Sequence, residues 1–304
     1  MKQMTVPARL FGFAAVLVGV FAAASFAGAA LDPSIEAPAE DHQQGETGMN
    51  AHSTVTAEHG AAKVRPAGLA IAEGGYRLEP EQSKLPATAT SRYQFRIIDS
   101  EGETVHDFDL EHERRMHLIV VRRDFEAFQH LHPEQRPDGS WVASLDTRLP
   151  GAYRAFADFA TEEQSLTLAA DLFVGGRFDP QPLAPVTTTA DAGDGYEVAI
   201  SSGDPEAGDT ALTRFEVSLD GRPLDSVEPY LGADGHLVAL REHDQAFLHT
   251  HPEGEAGGSG PIVFRVEYPS AGRYRLFLQF KHAGEVHTAA FTQVAAEEGV
   301  EHGD

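Results

Sequence analysis

Three regimes of hydrophobic patterning divide the chain. Residues 10–31 form one uncharged, mostly apolar run, and residues 32–67 carry few large apolar side chains. From residue 68 onward, short runs rich in β-branched and aromatic residues alternate with polar turns. Tyr93–Ile98, His117–Arg122, Trp141–Asp146, Tyr153–Phe159 and Leu166–Val174 are such runs. Turn sequences such as Asp99-Ser100-Glu101-Gly102 and Pro137-Asp138-Gly139 separate them. Long stretches of helical period are absent, so this last regime reads as all-β.

The β regime repeats itself. MHLIVVRRDFEAFQHLHPE from Met116 aligns without a gap on GHLVALREHDQAFLHTHPE from Gly235. Downstream, GAYRAFADF from Gly151 matches GRYRLFLQF from Gly272, and upstream Gly75-Tyr76 matches Gly195-Tyr196. The spacing predicts two tandem immunoglobulin-like β-sandwich domains, at residues 68–177 and 190–295, since each repeat holds seven or eight short strands in about 110 residues. Pro180, Pro182, Pro185 and a threonine run mark residues 178–189 as a linker, and residues 296–304 form an acidic tail.

Each repeat holds a His…His-x-His-Pro segment that reads as a hairpin. With His117–Arg122 and Ala127–His132 as arms around a four-residue loop, His117 faces His132 and Ile119 faces His130. Directly opposed side chains share a face, with Cβ atoms about 4.5–5.5 Å apart. His117, His130 and His132 therefore converge at the open end, and His236, His249 and His251 do so in the second repeat. That face also carries Ile119, Val121 and Phe128, then Val238, Leu240 and Phe247. The expectation is one histidine triplet per domain, at the rim of a core-facing surface, with burial keeping the rings neutral and able to hold a metal. Met116, His282 and His287 are secondary ligand candidates. His243 falls in the second hairpin loop, and the spacing assigns no role to His106 or His112.

The formal charge of −24 argues against nucleic-acid and anionic-lipid partners. The chain has no cysteine, which excludes disulfides, thiolate metal sites and cysteine nucleophiles. Any metal must then be held by His, Met, Asp, Glu or backbone oxygen. Lys2 and Arg9 before the apolar run, and Ala27-Gly28-Ala29 near its end, mark residues 1–31 as a signal peptide or single membrane anchor. This segment would be the protein's only membrane contact and would place the rest in the cell envelope or outside. Residues 32–67 read as a disordered linker containing His42, Met49, His52 and His59.

The doubled HLIVVRRD…QHLHP and GHLVALR…LHTHP segments resemble a group of exported, mainly actinobacterial proteins without an assigned function. At fold level the domains also look like envelope copper carriers of the CopC and YtkA-like type. CopC-like proteins use a histidine near the mature N-terminus, and nothing near Ala30 matches it. No Gly-x-Ser-x-Gly or His-Glu-x-x-His is present, which argues against hydrolase and zincin chemistry. A cupin-like metalloenzyme also sets His-x-His on strands, but the first repeat has Glu134 and no later His to complete that pattern. The sequence thus points to a non-enzymatic envelope protein binding a transition metal, copper first and zinc second. Its partners would be metal ions and other envelope proteins. The alternative is an interaction module of two such domains whose histidines are structural.

Overall fold

The computed structural model describes residues 66–162, 164–203, 205–254 and 256–297. The expected signal or anchor segment, the linker up to residue 65 and the tail from residue 298 lie outside the described residues. All described residues belong to one compact unit.

The first domain runs β1 (Ala72–Glu73), β2 (Tyr76–Pro80), β3 (Lys84–Leu85), β4 (Ser91–Ile98), β5 (His117–Arg122), β6 (Gln129–Leu131), β7 (Glu134–Gln135), β8 (Trp141–Leu145), β9 (Gly151–Thr161) and β10 (Gln164–Val174). The second runs β11 (Thr189–Gly193), β12 (Tyr196–Ser202), β13 (Thr210–Leu219), β14 (Arg222–Pro223), β15 (His236–Arg241), β16 (Phe247–Leu248), β17 (Thr250–Glu253), β18 (Ile262–Glu267), β19 (Gly272–His282) and β20 (Glu285–Ala295). The sheets are ordered β1-β2-β4-β8-β7 and β3-β10-β9-β5-β6, then β11-β12-β13-β18-β17 and β16-β15-β19-β20. That is the strand order of an immunoglobulin-like sandwich, drawn twice. A tyrosine corner closes each copy. Tyr153 Oη donates to Leu149 O at 2.6 Å, and Tyr274 Oη donates to Ser270 O at 2.6 Å. Among the described residues, no helix is long and apolar enough to cross a membrane.

Each sandwich buries its own core. Leu118, Val120, Tyr153 and Phe159 contribute to the first, and Leu237, Ala239, Tyr274 and Phe280 to the second. A third apolar layer lies between the domains, built from Ile119, Val121, Phe125, Phe156 and Ala169 against Val238, Leu240, Phe247 and Phe277. Its aromatic pairs are reciprocal: Phe128 stacks on Phe277 at 4.0 Å between ring centroids, and Phe247 meets Phe156 at 5.7 Å. Phe128 aligns with Phe247 and Phe156 with Phe277, so the duplicated domains meet as the halves of an isologous dimer do.

This layer corrects one expectation. The face carrying His117, Ile119 and Val121 does not look into its own sandwich; it packs against the other domain. Side chains alternate along a strand, and here both sets are covered, so every residue of β5 is buried. The segments flanking the first domain are drawn into the same junction. Phe247 N donates to Ala67 O at 2.9 Å, Leu183 packs into the apolar layer, and Gln181 N donates to Asp124 Oδ2 at 2.9 Å.

Candidate metal centre

The hairpin registers follow the spacing argument. Ile119 pairs with His130 and Leu118 with Leu131, while Ala239 pairs with Leu248 and Leu240 with Phe247. At the open end of the first hairpin, the ring of His117 lies 5.2 Å from that of His130 and 5.1 Å from that of His132, centroid to centroid. His130 and His132 are 4.9 Å apart. The fourth ring comes from the other domain. His236, the repeat equivalent of His117, stacks 5.4 Å from His117 with planes 4° apart and lies 4.6 Å from His130. The two equivalent histidines thus face each other across the seam between the repeats.

These separations suit shared coordination. A ring nitrogen sits 2.0–2.1 Å from a zinc-sized ion, which puts the ring centroid about 3.2 Å away. Two such rings are then about 4.5 Å apart at a right angle, about 5.2 Å at a tetrahedral angle and about 6.4 Å when opposite. Among the described residues, one ring nitrogen from each of His117, His130 and His236 lies within 4.8 Å of the others.

Hydrogen bonds set the ring orientations. His117 Nε2 lies 3.1 Å from Glu111 O, and a carbonyl only accepts, so Nε2 carries the proton. His130 Nδ1 lies 2.6 Å from Gln279 Oε1 and donates to it. In the neutral rings this leaves lone pairs on His117 Nδ1 and His130 Nε2, which face each other at 3.0 Å. Two acceptors at that distance repel unless a cation lies between them. Ligating histidines characteristically give their second N–H to a carbonyl in this way. His132 Nε2 is buried and has no hydrogen-bond partner.

Protonation is disfavoured throughout. Burial, reinforced by the neighbouring His117 ring, pushes His130 down to about 3 and His132 down to about 4. Burial lowers His117 as well, and it holds His236 well below the ordinary imidazole value, with His130 and His117 adding to the effect. Asp158, the register partner of His117 on β9, is raised by burial, while a 2.7 Å bond from Thr167 Oγ1 works in the opposite direction. It supplies a carboxyl group beside a cluster of neutral rings.

The remaining sequence candidates lie elsewhere. His249 and His251 are exposed and do not join His236 in a second triplet. After Leu248 the chain leaves β15 and crosses to the opposite sheet, where Thr250 pairs with Val266 and His251 with Arg265. The repeats differ at this point: Leu131 packs against the first core, whereas its equivalent Thr250 bonds to Leu237 O at 2.8 Å. Met116 is buried in the core of the first domain, on the side away from His117. His282 Nδ1 lies 2.7 Å from Tyr196 Oη, and His287 packs on Tyr196 at 4.0 Å, both on the other face of the β19–β20 pair from Gln279. The cross-domain placement of His236, together with that of Gln279 and Asp158, is not legible in the hairpin spacing. One signal for it was present: the unbroken apolar runs Leu118–Val121 and Leu237–Leu240 belong to strands covered on both faces.

Two stretches of the chain, residues 70–176 and 188–297, each match the family described as a domain of unknown function, DUF8832. The chain belongs to that family. The histidine cluster therefore lies where one DUF8832 domain meets the other. Among curated proteins, none matches the chain in sequence. Solved structures with similarity to the DUF8832 pair include the Escherichia coli adhesin FdeC, at 13% identity over 76% of this chain and 66% of that one, with a TM-score of 0.25. Others are domains 4–9 of the surface-layer protein SbsC, at 7% identity over 73% and 31% with a TM-score of 0.23, and the D0–D1 domains of intimin, at 10% over 71% and 96% with a TM-score of 0.20. The chain spans less than two thirds of the length of the first two. Similarity at this level carries no functional argument.

Proposed function

We propose that the protein binds one transition-metal ion per chain at the seam between its two domains, held by His117 Nδ1, His130 Nε2 and His236, with His132 Nε2 closing in as the fourth ligand. The observation that carries this reading is the 3.0 Å approach of His117 Nδ1 to His130 Nε2, with their other nitrogens set against Glu111 O and Gln279 Oε1. A proton is a poor bridge there because burial holds both rings neutral. A divalent ion relieves the repulsion and gains Asp158 as a nearby counter-charge.

The donor set is all imidazole. With no cysteine in the chain, and with Met116 committed to the core, neither thiolate nor, among the described residues, thioether is at hand, so the site suits Cu(II) or Zn(II) better than Cu(I). Copper remains the first choice on affinity order. Four imidazoles suffice to fill a tetrahedral shell, whereas catalytic sites keep a position open; the role we infer is to hold an ion, not to turn over a substrate. The apolar run at residues 10–31 supports a site of action outside the cytoplasm.

The competing reading is an interaction module with structural histidines. It requires the Gln279 amide to be reversed, so that His130 Nε2–H donates to His117 Nδ1. Metal analysis of the protein after chelation and reloading with Cu(II) or Zn(II) tests the proposal, with one tightly held ion per chain expected. No retained ion, together with nitrogen-15 shifts placing a proton on His130 Nε2, would establish the module instead.

A further inference from the structure

His112 lies over the outer side of the cluster, on the turn Glu111–Arg114. Its ring is 6.1 Å from that of His117 and 5.8 Å from that of His236, inside the limit of about 6.4 Å for two imidazoles on one ion. Unlike the other four histidines, it is exposed.

The backbone beneath it is unusual. Glu111 and Arg114 exchange backbone hydrogen bonds of 2.8 and 2.9 Å, and the two residues between them both have positive φ, His112 at 46° and Glu113 at 62°. Such a turn favours Asn and Gly at its centre. The second domain builds the same turn at Tyr230–Ala233 with Leu231 and Gly232, at φ 57° and 81°. The first repeat keeps that geometry while carrying Glu113 in place of a glycine and an imidazole in place of Leu231. Residues held in such conformations concentrate at functional sites. The turn also bears on the site directly, because Glu111 O accepts the bond from His117 Nε2.

We propose that His112 is the exchange ligand of the centre, taking a divalent ion from solvent and passing it to the four inner imidazoles. The inference rests on the metal-binding reading above. An exposed ring at the outer limit of coordination binds too loosely to set the equilibrium, but it gives the ion a partner before it has shed its water and reached the buried nitrogens. Removing it slows binding and release together.

The test is stopped-flow kinetics with Zn²⁺ on the full chain, comparing the wild type, His112→Ala and Glu113→Gly. For His112→Ala, association and dissociation should both slow by about tenfold or more while Kd stays within about threefold. Glu113→Gly, which keeps the imidazole and relieves the backbone, should leave both rates close to wild type and show that the turn still forms. Unchanged rates in His112→Ala, with the wild type binding normally, overturn the exchange role and leave the inner site standing. A Kd weakened through faster release also overturns it, since His112 would then be an ordinary ligand. If the wild type binds no Zn²⁺ at all, the metal-binding reading fails first.

Discussion

Acid should loosen the metal-free protein in a window where carboxylates are still ionised. His130 and His132 titrate at about 3 and about 4 in the fold, against an ordinary value of about 6.5 in the unfolded chain. Between these values the unfolded state binds more protons, so stability falls as pH falls. Their contribution is intact above pH 6.5 and declines progressively below it. One pH unit is worth about 1.36 kcal/mol per group, so each imidazole costs about 2 kcal/mol at pH 5. Together these two cost roughly 4 kcal/mol, and about half that if water entering at the mouth screens the charge. His117 and His236 shift in the same direction and add to the loss. Asp158, raised by burial, opposes it, because its protonation relieves the fold as pH drops. For a protein of this size, 1 kcal/mol moves the melting temperature by about 2–4 °C. The chelator-treated protein should therefore melt on the order of 10 °C lower at pH 5 than at pH 7, by circular dichroism. The double variant His130→Gln with His132→Gln should lose most of that dependence. Equal melting temperatures at the two pH values would mean that these rings are not buried as neutral groups, and the electrostatic reasoning behind the site would fall.

Three further outcomes separate the residues that meet at the seam from those that do not. His236→Ala should weaken Zn²⁺ or Cu²⁺ binding at least tenfold, while His249→Ala should leave stoichiometry and affinity unchanged; equal losses by calorimetry would restore one site per domain. Met116→Leu should keep metal affinity within about twofold, because its sulfur lies in the first core; a tenfold loss would make it a ligand. Phe277→Ala removes the ring stacked on Phe128 and should cost about 3–5 kcal/mol in chemical denaturation, and a loss below 1 kcal/mol would show that the interdomain layer is not tightly packed.

Much was determined by the sequence alone, because its signals are local. Alternation, turn residues and an ungapped repeat specify short antiparallel strands, and a four-residue loop specifies hairpin register, so the pairing of Ile119 with His130 could be counted off the chain. Only the tertiary structure decided which surface those histidines face. Periodicity tells which side of a strand is buried but not what covers it, and the cover here is the other repeat. The same limit hid the failure of the second triplet: after Leu248 the chain leaves β15 and pairs with β18, a choice of partner without a periodic signature. His236 could be placed beside His117 only once the two domains were seen to pack through equivalent faces. Repetition then brings equivalent residues together near the axis that relates the copies.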